Sequence, residues 1–184
     1  MKFIKTEIPE VIIIEPTVFG DDRGYFLESY NKKAFEENIG SVNFVQDNES
    51  KSSKGVLRGL HFQKPPFAQA KLVRCIEGSV LDVAVDIRKG SPTYGKHVTV
   101  KLSGENKRQL FVPRGFAHGF AVLSETAIFA YKVDNTYAPE HDAGIKYDDK
   151  ELNIDWGITE EEIQLSEKDK NLSFFKDLDS PFKF

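Results

Sequence analysis

The sequence is poor in residues that staple, coordinate or span. Among its 184 residues there is one cysteine, Cys75, so no internal disulfide can form and a zinc site lacks thiolates. No apolar run exceeds about five residues, against the roughly 20 of a membrane-spanning helix, so no span is expected. Met1-Lys2-Phe3-Ile4-Lys5-Thr6-Glu7 offers no apolar stretch fit for a signal peptide. These absences point to the cytoplasm. Lys and Arg never run beyond a pair such as Lys32-Lys33, and the formal net charge is -4, so neither nucleic acid nor a membrane is expected as a partner. A small anionic ligand needs only two or three well-placed arginines. No dinucleotide-binding Gly-x-Gly-x-x-Gly follows a strand, and no phosphate-binding Gly-x-x-x-x-Gly-Lys-Ser/Thr is present. A Gly-x-Ser-x-Gly elbow is also missing, so nicotinamide, ATP and acyl-transfer chemistry all lack their signatures.

What is present suits one globular domain over residues 1–184. Hydrophobic residues make up 40% and charged residues 29%, a balance that buries a core rather than leaving the chain disordered. Prolines and glycines are spread as punctuation between short apolar segments, with no repeat or linker. Period-two alternation marks residues 83–87 and 98–102 as strands. Glu77-Gly78 reads as a turn between strands, and Ser103-Gly104-Glu105-Asn106 as another before 109–112. A short helix is expected over 30–39, with Asn31 as N-cap and Gly40 as its end. A second is expected over 159–164, opening on Thr159…Glu162. Residues 42–137 read as all-β, and closing that many antiparallel strands predicts a jelly-roll sandwich or barrel.

Several segments could carry chemistry. In Leu57-Arg58-Gly59-Leu60-His61-Phe62-Gln63, His61 is either a satisfied strand histidine or a catalytic one, with Lys71 close behind in sequence. Strict alternation puts Arg58 and His61 on opposite faces, so both reach one cavity only if the strand bends near Gly59. Pro113-Arg114-Gly115-Phe116-Ala117-His118 resembles the second motif of the cupin superfamily. The first cupin motif supplies His-x-His and Glu ligands in metal-binding members. Here it is His61-Phe62-Gln63 with no Glu in place, so no metal is expected. Tyr131 shares a strand face with Phe129 and Val133, either as a core tyrosine or as a proton donor in a pocket. Arg23 and Arg58, with Gln46-Asp47-Asn48, could hold a phosphorylated ligand; Asp22-Arg23-Gly24 could equally be an exposed turn with a local ion pair.

Taken in order, these segments resemble the dTDP-4-dehydrorhamnose 3,5-epimerase family over nearly the whole chain. The resemblance begins at Phe19-Gly20-Asp21-Asp22-Arg23-Gly24-Tyr25-Phe26 and Glu28. It then runs through Gln46-Asp47-Asn48, Arg58 to Gln63, Lys71, Asp82 to Arg88, Pro113 to Phe120 and Tyr131. It ends at Leu165-Ser166-Glu167-Lys168-Asp169-Lys170. It implies a cupin-like jelly roll that epimerises C3 and C5 of a dTDP-linked 4-keto-6-deoxyglucose in dTDP-L-rhamnose biosynthesis. No cofactor or metal is implied. His61 would be the base, Tyr131 the acid on the opposite face, and Lys71 the cation near the enolate oxygen. Asp169 would support His61. Arg23, Phe26, Glu28, Gln46, Asp47, Asn48, Arg58, His118, Tyr137, Asp142 and Lys168 would bind the dTDP-sugar substrate. The resemblance further implies a homodimer in which the N-terminal region crosses to the partner, so that Arg23 and Glu28 serve the neighbour's site. Asp142 stands where Glu is frequent in the family, Tyr147 where Trp is frequent and Gly157 where Pro is common. A C3- or C5-only epimerase and a non-catalytic sugar-binding cupin are the competing readings.

Overall fold

Short apolar strands bury their side chains only by pairing and stacking. A computed structural model describes residues 1–184. Its strands are β1 (Lys2–Lys5), β2 (Ile12–Glu15), β3 (Val18–Asp21), β4 (Gly24–Leu27), β5 (Gln46–Ser53), β6 (Leu57–Gln63) and β7 (Lys71–Glu77). They continue with β8 (Ser79–Asp86), β9 (His97–Ser103), β10 (Gln109–Val112), β11 (Phe116–Val122), β12 (Thr126–Val133) and β13 (Asp142–Gly144). Two short α-helices, α1 (Lys32–Asn38) and α2 (Glu167–Lys170), lie outside the sheets. One sheet runs in the order β1-β2-β10-β7-β12-β5, the other β13-β6-β11-β8-β9, and β3 and β4 make a separate hairpin. Every strand pair is antiparallel. The expected cupin-like jelly roll is therefore the observed one.

Side chains from the two inner faces interdigitate, with Val73, Leu110 and Phe129 on one sheet meeting Val80, Ala84 and Phe120 on the other. The alternation expected over 83–87 is present, but neither face of that strand meets water. Val83, Val85 and Ile87 turn outward and pack against Trp156 and Phe175 of the C-terminal segment. The outer face of the other sheet is covered in part by α1. Asn31 caps that helix, its side-chain oxygen accepting from the Ala34 N–H at 3.0 Å. Phe35 lies fully buried over Ile12, Ile14, Leu72 and Phe111.

The helix expected over 159–164 shrinks to a single 3-10 turn, Glu160–Glu162. Its end is drawn into the sandwich instead: the Gln164 N–H donates to the Gly55 carbonyl at 2.9 Å, and Gln164 bridges Val56. This leaves the chain positioned to deliver α2 to the open end of the barrel, where it contacts β6.

Candidate active site

A bulge in β6 sets up the site. Opposite β11, Phe120 pairs with Arg58 and His118 with His61, so β6 takes three residue steps where β11 takes two. The additional residue reverses the alternation, and Arg58 and His61 both reach the interior. Gly59 makes this possible. Its φ is +125°, and a Cβ there would stand 2.5 Å from the Gly119 Cα.

The interior at this end is a cavity of about 730 Å³. Gln46, Asn48, Lys71 and Tyr131 line it from the six-stranded sheet, and Arg58, His61 and His118 from the five-stranded one. His61 and Tyr131 therefore line the cavity from opposite sheets. Nε2 of His61 lies 2.6 Å from Oδ1 of Asp169, an ion-pair approach off the line of a straight hydrogen bond. Nδ1 of His61 is buried with no protein partner. Buried polar atoms left unpaired are uncommon in folded proteins.

Asp169 is itself held. Ser166 caps α2: its hydroxyl accepts from the Asp169 N–H at 3.1 Å and donates to Oδ2 at 2.6 Å. Burial alone would raise the Asp169 carboxyl, but the His61 ring and the Ser166 hydroxyl outweigh it and hold the group below the ordinary carboxylate range. Lys71 shows the opposite balance. Burial pushes its ammonium down to about 8, and the nearby Asp142 and Asp82 carboxylates only partly restore it. Tyr131 is raised by burial, with Arg58 opposing, so its phenol keeps its proton at neutral pH.

Around this core the other side chains form paired sets. The buried His118 ring places Nε2 at 2.9 and 3.0 Å from the two oxygens of Asp82. Asp142 is paired with the Lys168 ammonium and accepts from the Tyr137 hydroxyl at 3.2 Å. Arg58 reaches the Ser52 hydroxyl at 3.2 Å and has no carboxylate partner, so its charge is free for an anionic ligand. Gln46 donates to the Asn48 side-chain oxygen at 2.8 Å.

The structure does not bring every expected residue to this cavity. Asp47 lies between Gln46 and Asn48 on β5, so alternation turns it to the outer face, where it pairs with Lys132 at 2.9 Å. Arg23 sits at the turn of the β3–β4 hairpin, ion-paired with Asp21, which is the local pairing that its turn sequence allowed. Phe26 is on the same hairpin with 69% of its surface exposed, and Glu28 follows it, also exposed. Asp82, Ser166 and Gln63 are site residues that sequence reasoning did not single out. Ser166-x-x-Asp169 ahead of a charged turn is a legible N-cap signal, whereas nothing local marks Asp82.

Gln63, at the second cupin ligand position, spends its amide on backbone. Its nitrogen donates to Phe67 and Thr136 carbonyls at 2.7 and 3.1 Å, and its oxygen accepts from the Ala138 N–H at 2.7 Å. No three His, Cys, Asp or Glu side chains converge as a ligand set, so the donors here do not suit a metal.

Comparison with known proteins agrees with this geometry. A family model described as dTDP-4-dehydrorhamnose 3,5-epimerase matches residues 5–177. A protein of that name from Shigella flexneri is 60% identical over 97% of this chain and 98% of its own. The crystal structure of one from Elizabethkingia anophelis superposes with a TM-score of 0.92 at 60% identity, covering 96% of this chain and 97% of that one. A dTDP-6-deoxy-D-glucose-3,5-epimerase from Legionella pneumophila, solved in complex with dTDP-4-keto-L-rhamnose, gives a TM-score of 0.96 at 51% identity over 100% and 98% of the two chains. With the match spanning both sheets, the cavity and α2, this chain belongs to the dTDP-4-dehydrorhamnose 3,5-epimerase family.

Proposed function

We propose that the protein converts dTDP-4-dehydro-6-deoxy-D-glucose to dTDP-4-dehydro-L-rhamnose by inverting C3 and C5 without a cofactor. Both carbons flank the C4 ketone, so loss of either proton gives a carbanion that delocalises as an enolate. Inversion then needs a base on one face, an acid on the other and positive charge at the ketone oxygen. The observation that carries the reading is His61 on one wall of the cavity, backed by Asp169, with Tyr131 on the wall formed by the other sheet. His61 abstracts the proton, and Asp169 supports the imidazolium that results. Lys71 stabilises the enolate oxygen, and Tyr131, which keeps its proton, returns one from the far side. Arg58 meets the diphosphate, while Gln46, Asn48, His118, Tyr137, Asp142 and Lys168 hold the nucleotide and sugar.

The β3–β4 hairpin extends this proposal to a homodimer. Phe19, Tyr25 and Phe26 are all more than half exposed on it, and Arg23 and Glu28 are not among the residues lining their own chain's cavity. An apolar arm of this kind is suited to a second copy, whose site Arg23 and Glu28 would complete. Asp47, which faces outward and pairs with Lys132, has no part in this chain's own cavity.

Proton NMR of the protein with dTDP-4-keto-6-deoxyglucose in D2O tests the chemistry. Deuterium is expected at both C3 and C5, with the L-lyxo ketosugar trapped by a coupled reductase. Exchange at a single carbon would make the protein a mono-epimerase, and binding without exchange would remove His61 and Tyr131 from the chemistry. Sedimentation of wild type and Phe26→Asp tests the dimer; an unchanged mass would exclude the arm from the interface.

A further inference from the structure

The carboxylate of Asp82 is completely buried, and the ring of His118 is the only side chain bonded to it. A buried carboxylate without a proton donor is costly, so the His118 nitrogen it faces must carry a hydrogen. That nitrogen is Nε2. The ring cannot easily turn away from this arrangement, because it stacks near-parallel to Phe129 at 6.3 Å within the tightly packed inner face. Nδ1 has no partner in the protein, and His118 lines the cavity.

We propose that Asp82 is a positioning residue that locks His118 in its Nε2–H tautomer and so presents Nδ1 to the cavity as a hydrogen-bond acceptor for a hydroxyl of the sugar. The other charges around the ring are already matched. Asp169 already faces His61, Lys168 is paired with Asp142, and the remaining buried cation, Lys71, lies close enough to Asp82 to balance it. His118 then has one donor, committed to Asp82, and one acceptor, which selects an O–H on the ligand rather than a carbonyl or phosphate oxygen. The site therefore holds two histidine–aspartate pairs with different tasks. In the His61 pair the carboxylate supports a ring that takes up a proton. In the His118 pair it prevents the ring from offering a proton where the sugar needs an acceptor. The ligand assignment rests on the epimerase reading, but the tautomer does not.

The first test is 15N-resolved NMR of the histidine rings in the wild-type protein, with His118→Gln used to assign the signals. His118 is expected to be neutral with its proton on Nε2; a proton on Nδ1, alone or with Nε2, would overturn the proposal whether or not the protein is active. The second is a double-mutant cycle on turnover with Asp82→Ala and His118→Ala. Each single change is expected to lower kcat/KM about tenfold, the worth of one hydrogen bond, mostly through KM. The double variant should then be no worse than His118→Ala within about twofold. Losses that simply multiply would show Asp82 acting through the fold and not through His118.

Discussion

His61 and Asp169 meet at 2.6 Å although they lie 108 positions apart, one on β6 and the other on a four-residue helix capped by Ser166. The pairing gives α2 its purpose: the helix is too short to be stable alone, and its contact with β6 places one carboxylate behind one imidazole.

Asp169→Ala should lower kcat by about 10²- to 10⁴-fold with a smaller change in KM, because the substrate's binding groups are untouched. The carboxyl is depressed in the folded protein, so its contribution to stability is complete above the ordinary carboxylate range. It is lost as pH falls through the lower folded value. In acid titrations followed by circular dichroism, the wild type should therefore unfold at a steeper slope than the alanine variant. Identical slopes would mean that the pair has no energetic role in the free protein.

Lys71 presents the reverse case, a group the fold tolerates for the sake of chemistry. Because its folded value is about 8 against an unfolded 10.5, the unfolded chain holds the additional proton between those limits. The wild type should gain stability as pH rises across that window and carry the whole penalty below it. Lys71→Met removes a penalty of about 1–3 kcal/mol at pH 7, allowing for water in the cavity, while abolishing most of the turnover. Its stability advantage should shrink between pH 8 and 10.5. In the wild type, kcat/KM should decline above pH 8 as the free enzyme loses the ammonium. A methionine variant no more stable at pH 7 would contradict the burial argument.

Gly59 leaves no room for a side chain. An alanine Cβ there would overlap the Gly119 Cα at 2.5 Å and the His118 carbonyl oxygen at 2.8 Å, at a φ that L-residues rarely adopt. Gly59→Ala should cost about 3 kcal/mol or more and separate Arg58 from His61. Thermal melting and activity would be lost together. A stable variant with intact activity would show that the bulge does not depend on glycine.

The β6 bulge also marks the boundary of what the sequence discloses. Alternation along 98–102, the Glu77-Gly78 turn and the Asn31 cap are local signals, and each survives in the fold because local geometry decides it. The conflict between Arg58 and His61 was visible as a conflict, and Gly59 pointed to its resolution. Asp47 was legible only as part of Gln46-Asp47-Asn48; strand parity, not residue type, then turned it outward. The burial of Asp82 and the tertiary capture of Gln164 depend on elements far away in the chain, so no window of sequence around them announces either. Roles such as base and acid rest on the family resemblance, since a histidine in a strand has the same local appearance whether it is catalytic or structural.

Gln63 stands where a metal-binding cupin has its second histidine ligand, and it bonds to backbone instead. Its side chain joins the 64–70 loop to the segment carrying Tyr137, satisfying three backbone groups at the cavity mouth. Gln63→Leu keeps the volume but strands the buried Ala138 N–H and two carbonyls, at about 1–3 kcal/mol for the buried donor. Tyr137 and Gln69 would then be held less firmly, so KM should rise about 5- to 10-fold while kcat falls less. Gln63→Glu keeps an acceptor for Ala138 but sets a carboxylate against the Phe67 and Thr136 carbonyls, so it should be no better than leucine. Steady-state kinetics with thermal melts separates the outcomes. A fall in kcat with KM unchanged would place Gln63 in the chemistry rather than in holding the mouth.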